Sequence, residues 1–164
     1  MQNRIALGSA QSSAFYFSTV AGIKPERGLS AMVTAKDIMS SDVVSVKEDA
    51  PIYEALQILL KSDITGVPVV KDDMILVGIL SEKDALGLFF RPKSASGRTV
   101  ADFMTQPAIF FDEDEKLSDV CECLMNSYFR RVPVTNKGKV VGIISRPDII
   151  AHICRLILDS GGTS

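Results

Sequence analysis

The chain has 164 residues, 46% of them hydrophobic and 23% charged, with a formal net charge of −2. That composition supports a packed core and excludes a disordered polymer, and the acidic balance supplies no global field for nucleic acid or anionic lipid. No apolar run approaches the roughly 20 residues that a membrane-spanning helix needs.

Residues 1–31 differ from the rest: serines and Gly8 punctuate them, and no acidic residue occurs before Glu26. Three readings stand side by side. The stretch is a Ser-rich, acid-poor targeting leader, or a short docking helix over the domain, or an extension upstream of a start at Met32. In the leader reading the location is organellar, and otherwise cytoplasmic.

From residue 32 the pattern becomes regular. Val43 to Val46 predicts a short strand, Asp49 a helix N-cap with Pro51 in the first turn, and Ile52, Ala55, Leu56, Leu59 and Leu60 a buried helical stripe. Gly66 ends that helix, and Val67-Pro68-Val69-Val70 reads as a strand. Lys71-Asp72-Asp73 is a turn. Ile75 to Leu80 is an unalternating apolar strand, expected to be buried on both faces. Ser81 starts a helix carrying Ala85, Leu86 and Leu88, and residues 91–98 are a linker by composition.

Residues 99–155 replay that order. Asp114 takes the predicted cap, and Leu117, Val120, Cys121, Leu124 and Met125 the inward stripe. Val132 to Thr135 and Val140 to Ile144 are strands around an Asn136-Lys137-Gly138 turn. A last helix runs from Ser145 through Leu158. The landmarks recur about 65 residues apart: Asp37-Ile38-Met39 with Asp102-Phe103-Met104, Val67-Pro68-Val69 with Val132-Pro133-Val134, and LVGILSEKD at 76–84 with VVGIISRPD at 140–148. Such self-similarity governs the architecture. Each half is β-α-β-β-α, too small to be comfortable alone. The expectation is an α+β fold in which two repeats (32–90 and 99–155, followed by a tail at 156–164) pack sheet against sheet with pseudo-twofold symmetry around one shared core.

The chemistry concentrates in Ser81-x-x-Asp84 and Ser145-x-x-Asp148. Each has the form of a helix cap, with Ser at the N-cap and Asp at the third position favouring the positive helix end. The same turn presents free backbone N–H groups suited to a phosphate, and a carboxylate one turn on can accept from ribose hydroxyls. A micromolar ligand requires about 8 kcal/mol. A charged hydrogen bond contributes about 1.5–3 kcal/mol, so apolar walls around a base must supply much of the remainder.

Other candidates are weaker. Cys121, Cys123 and Cys154 form an odd set without scaffold spacing, and Cys121-x-Cys123 reads as core plus surface. The lone histidine, His152, leaves no metal pair and no nucleophilic triad. The run Asp112-Glu113-Asp114-Glu115 reads as a solvated, dipole-favouring cluster before a helix. Phe89-Phe90 is either a dimer contact or packing under the linker.

The ordered recurrence of DIM/DFM, Val-Pro-Val and Gly-Ile-Leu/Ile-Ser-x-x-Asp over roughly residues 34–155 closely resembles a tandem pair of CBS domains, or Bateman module. That resemblance implies a non-catalytic regulatory module. It would bind an adenine nucleotide or an S-adenosylmethionine-like ligand between the repeats, form a homodimer, and signal to a partner protein. It also implies composite pockets. One combines Ile143, Ser145 and Asp148 with Ser40, Ser45, Ile64, Thr65 and Gly66. The other combines Ile79, Ser81 and Asp84 with Thr105, Phe110, Phe129 and Arg130. Arg130 and Arg131 are placed to reach phosphates, and Arg146 adds positive charge. Phe110 stands where the first copy has Ser45 and narrows the Asp84 pocket, so the Asp148 pocket is expected to bind more tightly. The rivals are a structural dimerisation module with empty pockets and, more remotely, an enzyme acting on a nucleotide.

Overall fold

A computed structural model describes residues 33–90 and 92–161; the sequence reading of residues 1–31 lies outside them. Two three-stranded sheets carry the architecture. In the first, β1 (Val46–Lys47) runs parallel to β2 (Gly66–Val70), which pairs antiparallel with β3 (Leu76–Ser81). In the second, β4 (Phe111–Asp112), β5 (Arg131–Asn136) and β6 (Lys139–Ser145) repeat the arrangement. Helices α1 (Ile52–Lys61) and α2 (Glu82–Leu86) belong to the first repeat, α3 (Leu117–Met125) and α4 (Arg146–Gly161) to the second. The predicted β-α-β-β-α order is observed in both halves.

Several local expectations are corrected. The strand expected at 43–46 shrinks to Val46–Lys47. Asp49 and Asp114 do not cap their helices: the N-caps are Pro51 and Lys116, both extended in ψ and without a side-chain cap bond. Helix α1 ends at Lys61, before Asp63 turns to φ 50°, so Gly66 opens a strand and does not end the helix. Leu60 and Met125 leave the buried stripes at 81% and 61% exposure, while Cys123 joins the core. Strand β3 is not buried on both faces: Gly78 and Leu80 are buried, and Val77 and Ile79 half-buried. The two β-hairpins also differ at their tips. Lys137 and Gly138, both at positive φ, make a tight two-residue turn between paired Asn136 and Lys139. The first hairpin takes a longer 3-10 path through Asp72–Met74, which accounts for the one-residue difference in repeat spacing.

There are two cores, not one shared core, and each borrows from the other repeat. Ala35, Val33, Ile38 and Met39 pack with Leu117, Val120, Leu124, Val132, Val134 and Ile144 of the second repeat. Val100, Phe103 and Met104 pack reciprocally with Val46, Ile52, Ala55, Val67 and Leu80 of the first. Backbone hydrogen bonds fix both exchanges. Ala35 N donates to Glu115 O at 2.8 Å and Lys36 N to Glu113 O at 2.9 Å; Val100 N donates to Ala50 O and Ala101 N to Glu48 O, both at 2.9 Å. The acidic run at 112–115 is therefore a receiving edge for the first opening segment, and Lys36 Nζ pairs with Asp114 Oδ1 at 2.6 Å across it.

Each exchanged segment begins with a Thr-x-x-Asp turn. The Thr34 amide and hydroxyl donate to Asp37 Oδ2 at 2.7 and 2.8 Å, and the Thr99 amide donates to Asp102 Oδ2 at 2.9 Å. The next methionine then lies flat on a glycine of the other repeat. A Cβ on Gly78 would fall 2.7 Å from Met104 Sδ, and one on Gly142 would collide with Met39. These glycines are required by close approach, not by backbone angle.

Gly142→Ala is expected to destabilise the protein by about 1–3 kcal/mol through overpacking, and to cost far less in a Met39→Ala background, as read from urea unfolding of the double-mutant cycle. The Arg98 guanidinium and then the Thr99 amide hold the Asp102 carboxyl below its usual range. The folded pKa is depressed, so the associated stabilisation is present above the unfolded pKa of about 4 and lost as pH falls through the lower folded value; Asp102→Asn should flatten that part of the acid-unfolding curve.

Candidate functional site

Both Ser-x-x-Asp corners form at a strand-to-helix turn, where β3 meets α2 and β6 meets α4. In the first, Asp84 Oδ2 accepts from the Ser81 amide at 2.8 Å and hydroxyl at 2.6 Å, while the Ser81 oxygen accepts from Asp84 N at 3.3 Å. In the second, Asp148 Oδ2 accepts from the Ser145 amide at 2.7 Å and from its hydroxyl. The first is the capping box read from the sequence, and the second shows its carboxylate half. All four residues are half-buried.

The opening segments complete the corners. Ser40 N donates to Ile143 O and Ile143 N to Ser40 O, both at 2.9 Å; Ile79 N donates to Thr105 O at 3.0 Å and Thr105 N to Ile79 O at 2.8 Å. Each β3-type strand thus gains a short antiparallel partner from the other repeat, and this brings Ser40 to the Asp148 corner and Thr105 to the Asp84 corner. The segments before Pro68 and Pro133 make their described backbone contacts inside their own repeats. Gly66 registers with Ser81, and Glu82 N donates to Thr65 O at 3.0 Å. Arg131 registers with Ser145, and Arg146 N donates to Arg130 O at 3.0 Å. Ile64 packs against the first core and Phe129 against the second.

The corners are chemically unequal. Thr105 Oγ1 donates to Asp84 Oδ1 at 3.0 Å, so both oxygens of that carboxylate are engaged. Among the described residues Asp148 Oδ1 has no such donor. Arg131 lies in its field. Burial pushes the Arg131 guanidinium pKa down, the Asp148 charge acts against that, and Arg130 adds to it. Among the described residues the buried Arg131 Nε has no hydrogen-bond partner, which is costly for a cationic donor.

Arg146 is a correction. Its guanidinium turns away from the corner, and Nη2 donates to the carbonyls of Leu124, Ser127 and Phe129 at 2.9, 2.8 and 3.4 Å. It closes the carbonyl end of α3 and is not available to a phosphate. The Ser45 hydroxyl lies 4.0 Å from Met74 Sδ. Phe110 lines an open groove of about 690 Å³ with Leu76, Val77, Gln106, Pro107 and Ala108, alongside the Ile79–Thr105 ladder.

Burial pushes the Cys121 and Cys123 thiols up, disfavouring thiolates. Among the described residues no His/Cys/Asp/Glu group is arranged to hold a metal ion, and no helix is long and apolar enough to cross a membrane. The residues that sequence reasoning missed are Met39 and Met104; their signal was a methionine at fixed distance before each paired segment and a glycine in each β3-type strand.

Duplicated α+β repeats, exchanged opening segments and twin serine–aspartate corners define a paired-repeat module. The chain belongs to the CBS domain family, which matches residues 35–91 and 100–155. It is 32% identical over 129 residues to the uncharacterized protein MJ1225 of Methanocaldococcus jannaschii, covering 77% of this chain and 46% of that protein. It is 31% identical over 153 residues to the chloroplastic CBS domain-containing protein CBSX1 of Arabidopsis thaliana, covering 74% and 64%. The chain thus spans about half of the first relative's length and under two thirds of the second's. Among solved structures, CBSX2 in complex with AMP superposes with a TM-score of 0.67 at 29% identity, covering 75% of this chain and 97% of that one. The CBS pair of MJ0100 in complex with 5′-methylthioadenosine and S-adenosylmethionine gives 0.64 at 29% identity, covering 76% and 98%.

Arg146→Met should cost about 2–3 kcal/mol in thermal or urea unfolding, because it orphans carbonyls at the end of α3. Arg146→Lys should recover only part of this, since an ammonium cannot span the same acceptors.

Proposed function

We infer that this chain is a non-catalytic sensor of an adenosine-containing ligand, and that its principal site is the Asp148 corner. One observation carries the reading. Among the described residues, a carboxylate oxygen of Asp148 without a donor stands in the field of Arg131, whose buried Nε has no partner there. An acceptor and a cation so placed match the two polar parts of a nucleotide, the ribose diol and the phosphate. The complexes of CBSX2 with AMP and of MJ0100 with adenosyl compounds support the ligand class.

In this reading Asp148 accepts from the ribose hydroxyls, and Ser145 with the N-terminus of α4 and Arg131 receives the phosphate. Ile143 and Ser40 form the wall beside Asp148 and Arg130 adds charge at its rim, while Ile64, Thr65 and Gly66 belong with the Ser81 corner of their own repeat. The second pocket, around Ile79, Ser81, Asp84, Thr105, Phe110 and Phe129, is the weaker one. A ligand in either pocket bridges a serine–aspartate turn of one repeat and an opening segment of the other. It biases their relative arrangement by its differential affinity for the two states. Output then passes to a partner protein, with a homodimer as the signalling unit and the cytoplasm or an organelle as its place.

A structural dimerisation module is the second reading, favoured by the exposure of Phe89 (83%), Phe90 (82%), Ile157 (63%) and Leu158 (75%). The two readings separate in a thermal-shift series with AMP, ATP and S-adenosylmethionine. A sensor gains about 2.7 kcal/mol at a ligand concentration 100 times Kd, a rise of several degrees. Asp148→Ala should abolish that rise for the preferred ligand. No shift with any adenosyl compound, together with a stable dimer in sedimentation, would establish the dimerisation reading instead.

A further inference from the structure

We propose that Thr105 is a specificity-determining residue whose hydroxyl stands in for a ligand hydroxyl on Asp84, so that each chain fills one corner, at Asp148, before the other. The proposal deepens the sensor reading and rests on it.

The two corners are built from equivalent positions, and this makes the comparison direct. Ser81 and Ser145 end equivalent strands, Asp84 and Asp148 each accept from the amide and hydroxyl of their serine, and Thr105 and Ser40 pair with Ile79 and Ile143 through the same two backbone hydrogen bonds. The next layer differs. Thr105 Oγ1 donates to Asp84 Oδ1 at 3.0 Å, while among the described residues no hydroxyl or amide donates to Asp148 Oδ1. A ribose hydroxyl arriving at Asp84 must displace or crowd a donor already in place, and one arriving at Asp148 need not.

The strand register adds a second, independent difference. Arg131 registers with Ser145, whereas Gly66 registers with Ser81. The Asp148 corner therefore carries a cation that the Asp84 corner lacks at the equivalent position. A phosphate-bearing ligand meets compensation in one corner and none from that position in the other. Acceptor occupancy and charge both rank the corners in the same order.

The Thr105 bond also joins the repeats: Asp84 lies in the first and Thr105 at the head of the second. Displacing it frees a cross-repeat contact when the second corner fills. Filling of the first corner has no equivalent consequence, so the two binding events differ in what they release.

Isothermal titration with AMP, and separately with the uncharged 5′-methylthioadenosine, tests this on the full chain. Wild type should take one equivalent of AMP tightly. In an Asp148→Ala background, adding Thr105→Val should tighten binding at the remaining corner by about three- to tenfold, the range of one ordinary intramolecular hydrogen bond, with the larger gain for 5′-methylthioadenosine. Thr105→Ser should not. The converse change, Ser40→Thr, should weaken AMP binding at Asp148 by a similar factor, and decides the matter if the double variant loses its circular-dichroism spectrum. Two equal sites in wild type, or no gain from Thr105→Val together with no loss from Ser40→Thr, would overturn the proposal while leaving the sensor reading intact. Failure of wild type to bind either compound would remove the sensor reading and this inference with it.

Discussion

Four backbone hydrogen bonds, two between Ser40 and Ile143 and two between Ile79 and Thr105, carry the exchange on which both cores and both corners depend. They let each opening segment act as an edge strand for the opposite repeat, and they set Met39 over Gly142 and Met104 over Gly78. A single repeat of this size would leave the face of its β3-type strand and one side of its helix unfilled. The exchange fills both with apolar side chains from the other half, so each core is built from both repeats. Duplication here is a packing requirement, since each half supplies the missing piece of its twin.

The same serine–aspartate geometry serves local folding and presents chemistry. As a capping box it satisfies backbone donors at the start of a helix. That task uses one carboxylate oxygen and leaves the other to the surroundings. In the first corner the surroundings supply Thr105; in the second they supply a field from Arg131 and no donor among the described residues. The difference between a closed corner and an available one thus lies in side chains contributed from outside the motif. Arg146 illustrates the complementary case. It sits inside the motif, yet its guanidinium is committed to three carbonyls near the end of α3.

Much was legible before any coordinates. The order of elements followed from hydrophobic period and from turn residues, and the corners from the recurrence of Gly-Ile-Leu/Ile-Ser-x-x-Asp. Errors gathered at helix starts and at the edges of stripes. Asp49 and Asp114 look like caps because acidic residues favour helix N-termini, but the chain stays extended through Pro51 and Lys116. The acidic run at 112–115 reads as solvated because charge alone cannot say that the opening turn of the other repeat will dock there. Leu60 and Met125 satisfy a helical stripe and still point outward, because the width of the buried face is set by what packs on it.

The sequence by itself determined the duplication, the β-α-β-β-α order, the place of both serine–aspartate turns and the membership of the pair in one family. These depend on contacts close in the chain or on repetition, and both are written into residue order. Only the tertiary structure decided that the opening segments trade places, that Arg146 faces inward to carbonyls, and that Thr105 reaches Asp84 while no donor among the described residues reaches the second oxygen of Asp148. Those outcomes join residues far apart in the chain through side-chain reach and strand register, quantities that have no local trace.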